Sequence, residues 1–280
     1  FTMLKVPDSA VANFLLNSLN QSTPYQWQAE TIRLGFFPFP HLKVEKLNLD
    51  PKFPGAGPAL AVEEFRVYPN PFSLLPLGGP PAFGGSFRAE AYKANFHGYF
   101  AAGSDVKLRV ETANADLAKF LPLNPTGSDL KGNITNLFIQ ILLPSQRASL
   151  ADGEISVQGK NVAIDPSMFQ LPIALPILNL GELDIQGSVS RGQVKITKFK
   201  LGSPGKDLEL QIPNGSITLS DVTPNTRYDL HLLIKPSGAI IAAVPGITAM
   251  LDSMATRKPD GFYGLRLQGS LAAPGFPSKD

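Results

Sequence analysis

Short runs of Val, Ile, Leu and Phe, cut off again and again by proline or glycine, are the feature that most constrains how this chain folds. Its 280 residues include 26 Pro and 25 Gly, the rhythm of many short antiparallel strands separated by turns. Side chains alternate across a strand, so every second residue shares a face. Over 207–212, Leu208, Leu210 and Ile212 face one way and Asp207, Glu209 and Gln211 the other. Tyr228, Leu230, Leu232 and Ile234 do the same against Arg227, Asp229 and His231. Further strands are expected over 106–110, 134–141, 155–158, 183–189, 217–219 and 262–271.

Three runs share a spacing of apolar, x, apolar, x, x, apolar, x, apolar. They are Leu42, Val44, Leu47 and Leu49; Leu60, Val62, Phe65 and Val67; and Val194, Ile196, Phe199 and Leu201. Strict alternation would send the second pair of each run to the opposite face. Either a β-bulge restores the facing and bends the strand, or these strands are buried on both faces at different points. Helical periodicity is scarce. It is clearest over 8–19, where Val11, Phe14, Leu15 and Leu19 line one side after Pro7, giving an amphipathic helix at about 7–21 that packs on a sheet or touches a membrane. Shorter helices are expected over 116–121 and 239–254; the second suits a plug for the open end of a curved sheet or a membrane-facing element, and the plug is preferred because only Arg257 and Lys258 supply positive charge nearby.

Few helices and many one-sided strands leave the apolar sheet surface to be hidden by a second sheet, by closure, or by curling around a ligand. The expected fold is therefore mostly β: an elongated, strongly curved antiparallel sheet over about 26–271, a trough or partly closed barrel with a few short helices, in one domain spanning 1–280. A hydrophobic groove is expected from Val194, Ile196, Phe199, Leu201, Leu208, Leu210, Ile212, Tyr228, Leu230, Leu232 and Ile234.

Motifs for chemistry are missing. A net charge of +2, with both signs interleaved, marks no nucleic-acid footprint. There is no cysteine, which removes thiolate metal sites and thiol nucleophiles. His41, His97 and His231 have no acidic or histidine partner at ligand spacing. Glu63 and Glu64, adjacent on a strand, point to opposite faces, and the glycines around 78–85 lack the strand-to-helix setting of a phosphate cradle. No catalytic residue, metal or cofactor is expected. Trp27 is expected as a core or sheet-end anchor, and Phe36, Phe37 and Phe39, spaced by Pro38 and Pro40, as a buried crossing segment or an exposed docking strip.

One family likeness accompanies this reading. It is carried by Gly187, Val189, Arg191 and Gly192; by Lys206 to Leu210; by Gly215, Ile217 and Leu219; by Tyr228 to Leu232; and by Lys258, Asp260 to Leu265, Gly269, Leu271 and Pro274. In these residues the chain resembles the periplasmic region of protein N of the bacterial type II secretion system, in its long form. A looser likeness runs over about 66–183. That family is similar to the AsmA and TamB superfamily, whose periplasmic sheet folds over an apolar groove. The resemblance implies a periplasmic protein with an inner-membrane anchor ahead of Phe1. It implies other secretion components as partners, or lipid as ligand, and it brings no catalytic residue.

Overall fold

The structure is a computed structural model that describes residues 12–13, 16–17, 20–21, 25–35, 39–52, 59–70, 83–91, 94–120, 130–165 and 176–279. The chain divides into two compact units, Phe1–Gly103 and Ser104–Asp280. Each is an antiparallel sheet in which strands follow one another almost in chain order, as the turn-punctuated sequence requires. Unit 1 holds β1 (Tyr25–Gly35), β2 (His41–Pro51), β3 (Leu60–Pro69), β4 (Phe83–Ala91) and β5 (Ala94–Ala102).

Unit 2 begins with β6 (Val106–Ala113), the two-residue β7 (Ala115–Asp116), β8 (Leu130–Leu143) and β9 (Asp152–Ile164). It continues with β10 (Leu178–Ser190), β11 (Gln193–Leu201), β12 (Leu208–Thr218) and β13 (Arg227–Pro236). It ends with β14 (Thr256–Arg257), β15 (Tyr263–Ser270) and β16 (Ser278–Lys279). The order is β6-β8-β9-β10-β11-β12-β13-β15-β14, with β7 beside β8 and β16 beside β15. Among the described residues, the two ends of neither run pair with each other, so neither unit closes into a barrel. The mostly β, antiparallel class read from the sequence is the class observed.

The repeated spacing has two structural answers. In β11 it is a bulge: Ile196 faces Gly187 and Lys198 faces Gln186, so Thr197 is the extra residue. In β2 and β3 no register shift occurs; Lys46 instead adopts φ 48°. The cross-strand row through Glu30, Lys46 and Glu63 drops out of both ladders. One left-handed residue turns the strand over without an insertion, and Val44, Leu47 and Leu49 all reach the same buried cluster with Ile32. Lys46 Nζ lies 2.6 Å from Glu30 across the interrupted row.

A short helix closes that cluster. Residues 12–13, 16–17 and 20–21 are helical, with Ala12 and Leu16 packed on the core while Asn13, Asn17 and Gln21 are exposed. The expected apolar positions Val11, Phe14, Leu15 and Leu19 lie outside the described residues. Asn20 grips β1 through both the oxygen and the nitrogen of its side-chain amide: Oδ1 accepts from the Trp27 N–H at 2.6 Å and Nδ2 donates to the Trp27 carbonyl at 3.2 Å. Trp27 itself packs against the cluster, as a core anchor.

Unit 2 is most deeply packed around β8, β9 and β10, with one turn of helix at Leu117–Phe120 against β8; Leu117, Ile134, Val162 and Leu180 are its most buried large side chains. Asp116 Oδ1 accepts the Ala118 N–H at 3.1 Å, capping that turn. The helix expected over 239–254 is two helices, α1 (Gly238–Ala243) and α2 (Ile247–Met254), because Pro245 lacks the N–H that continuous helix needs. Gly246 supplies a left-handed start at φ 89°. Ser237 Oγ caps α1 by accepting the Ile240 N–H at 3.2 Å. Ile240, Val244, Ile247 and Leu251 are buried, and α2 packs on β15.

Candidate apolar ligand face

Strand pairing in unit 2 decides which side chains share a surface, because residues directly opposite in an antiparallel ladder point to the same side. Starting from Val110, the partners are Ile139, then Ile155, Gly187, Ile196, Gly215, Leu230 and Leu267. One row thus crosses eight strands without a charged residue. The neighbouring row on one side includes Val189, Val194, Ile217 and Tyr228. On the other side lie Leu137, Val157, Ile185 and Phe199, then Leu232 and Leu265. Leu183, Leu201, Leu210, Ile234 and Tyr263 make a further row, and Leu208 sits opposite Pro236 at its end. With strands about 4.8 Å apart, eight of them make a face roughly 34 Å long.

All eleven residues read from the sequence as a groove belong to this face. Val194, Ile196, Phe199 and Leu201 come from β11, with the bulge at Thr197 keeping the second pair on the same side as the first. Leu208, Leu210 and Ile212 come from β12, and Tyr228, Leu230, Leu232 and Ile234 from β13. Ile212, Ile196 and Leu230 converge over Gly215: a β-carbon there would lie 2.9 Å from Leu230 Cδ2, 3.0 Å from Ile212 Cγ2 and 3.2 Å from Ile196 Cδ1. The glycine leaves room for three branched tips. The sequence reading did not single out the β6, β8, β9, β10 and β15 members of the face; their alternation is visible, but only the register joins them to β11–β13.

Burial across the face is uneven. Val189, Leu137, Tyr263 and Leu265 are buried at its margins, and Ile212 near its middle is 7 % exposed. The other ten groove residues are only half-buried, as are Ile155, Val157, Ile185 and Leu267. A sheet face under a second packed layer buries such residues almost completely. Here the aliphatic side chains keep part of their surface in water. It is an open face: the described cavities that involve unit 2 are lined mainly from the polar side, the largest, of 500 Å³, by residues such as Ser216, Arg227, Asp229 and Gln268.

The polar side is knit by charge. Asp229 on β13 and Arg266 on β15, diagonal neighbours two residues apart in register, form a two-pronged pair, Nε to Oδ1 at 2.8 Å and Nη2 to Oδ2 at 2.6 Å. The guanidinium holds the Asp229 carboxyl down at about 2. Asp221 accepts the Ser149 N–H and hydroxyl and the Arg147 Nε–H, each at 2.9 Å, which keeps it in its charged form and ties the turn at 147–149 to the β12–β13 loop. His231 faces Arg266, His97 faces Arg88, and the His41 ring lies 5.4 Å from that of Tyr68. Among the described residues, no three His, Asp or Glu side chains are grouped as a metal site, and no helix is long and apolar enough to cross a membrane.

Compared with known proteins, the chain matches no family model, no curated protein and no solved structure.

Proposed function

We propose that this chain is a non-catalytic binding protein for lipid, holding hydrocarbon chains on the apolar face of unit 2. One observation carries the reading: an eight-strand aliphatic face most of whose residues stay partly exposed rather than sealed under a second layer. Contiguous apolar surface of that size marks a binding or membrane site in a water-facing protein. Each methylene moved from water onto such a surface is worth about 0.8 kcal/mol, so even partial coverage of an acyl chain gives useful affinity. Organic extraction of the purified protein, followed by mass spectrometry, is expected to release lipid, and Leu230→Gln is expected to release much less. Protein that is repeatedly empty would remove the proposal.

The resemblance to type II secretion protein N supports a second, compatible placement: a periplasmic component of that machine, held at the inner membrane by a segment ahead of Phe1. Two glycines that carry the likeness, Gly192 and Gly261, have φ of 73° and 85°, so this part of the motif specifies a backbone path. Pull-down with the purified periplasmic parts of a secretion system is expected to retain one of them. Retention of none, with secretion unchanged on deletion, would end that placement.

A further inference from the structure

The face of unit 1 opposite its core sorts its charges into rows. Arg33 lies opposite Lys43, Lys43 opposite Arg66, Arg66 opposite Arg88, and Arg88 opposite His97. Five adjacent strands thus present basic side chains shoulder to shoulder. The row two residues away on the same face is Thr31, Glu45, Glu64, Glu90 and Asn95. Like charges directly across a ladder cost stability, and the carboxylates relieve only part of this. Lys43 Nζ lies 2.7 Å from Glu45 and 2.9 Å from Glu64, and Arg66 Nε lies 2.5 Å from Glu64. Arg88 forms no ion pair among the described residues; it is exposed, in a 470 Å³ cavity shared with Arg66 and His97 and, from the neighbouring row, Glu64, Glu90 and Asn95.

On the other side of the basic row, toward the β1–β2 turn, stand His41, Tyr68, Ser86 and Tyr99. Tyr99 is 42 % exposed, and beyond this row, in the turn itself, Phe39 is 68 % exposed. Along the strands the surface therefore runs from carboxylates through cations to aromatic rings and an exposed phenyl group, in steps of about 7 Å. An anionic bilayer has the complementary profile: hydrocarbon below, an interface that favours amphipathic rings, phosphates that favour Lys and Arg, and water beyond. We infer that this end of unit 1 docks on the surface of an anionic phospholipid bilayer, with Phe39 innermost and the basic row at the phosphates. A soluble acidic partner would match the cations but leaves the graded aromatic rows without a role.

The test uses the whole chain and co-flotation with vesicles. Phosphatidylcholine vesicles containing phosphatidylglycerol are expected to capture it, pure phosphatidylcholine vesicles are not, and capture is expected to weaken as added salt shortens the screening length. Each basic group near such a surface contributes about fivefold to partitioning, so Arg33→Glu with Arg88→Glu is expected to lower it at least about 25-fold. Both residues are exposed, and an unchanged circular dichroism spectrum shows that the fold is kept. Phe39→Ser is expected to weaken capture without altering its salt dependence. Lys195→Glu makes the same charge change on the exposed polar side of unit 2 and is expected to leave capture within about twofold. No capture, equal capture by neutral vesicles, or an equal loss in the Lys195 variant would overturn the inference. So would retention on heparin or DNA without capture by vesicles, which would assign the row to a soluble polyanion.

Discussion

Asp229 shows how one side chain sets the pH range in which the sheet is strongest. Its carboxyl titrates at about 2 in the fold, below the ordinary 3.8, because Arg266 binds its charged form. A carboxylate with a lowered folded value stabilises the fold above its unfolded value, and that contribution fades as pH falls through the folded one. Urea melts of the protein and of Asp229→Asn are therefore expected to differ at neutral pH and to converge between about pH 4 and pH 2. A second residue-scale test concerns Gly202, which has φ 105° and whose added β-carbon would run into the Leu208 carbonyl. Gly202→Ala is expected to cost more than about 1 kcal/mol in a denaturant titration. Glycine punctuation was legible in the sequence. That Gly202 closes the β11–β12 turn against a carbonyl was not, because such crowding exists only once the two strands are paired.

At the scale of elements, the N-terminal helix and β1 are joined by two hydrogen bonds from a single amide. In Asn20→Ala the Trp27 N–H and carbonyl lose these partners, at a cost of about 1–2 kcal/mol, and part of the β1 edge becomes available for pairing. Denaturation midpoints and light scattering are expected to show lower stability and more self-association. The alternation of β12 and β13 gave their facing correctly, and the extra residues in β11 were readable as a bulge. The same spacing in β2 and β3 was not, since nothing in Leu42 to Leu49 announces that Lys46 takes a left-handed backbone while both neighbouring strands skip the same row. The basic row of unit 1 was hidden for a related reason. Arg33, Lys43, Arg66, Arg88 and His97 are scattered singly along the chain, and four registers are needed to bring them together.

Across the whole molecule, two kinds of apolar position in unit 2 stand in contrast. Ile134 is fully buried, so Ile134→Ala is expected to cost about 2–5 kcal/mol. Leu230 is half-buried on the open face, so Leu230→Gln is expected to cost about 1 kcal/mol while removing most bound lipid. Stability and ligand retention should therefore separate by position, as they would not if the face were ordinary core. The most direct test places a photo-crosslinking residue in turn at Ile185, Ile196 and Leu230, and at their polar-side neighbours Gln186, Lys195 and Asp229, then weighs the products formed in the presence of membrane lipid. Lipid adducts at the first three positions and none at the second three are the predicted result. Adducts on both sides alike, or on neither, would contradict the claim that this face binds hydrocarbon.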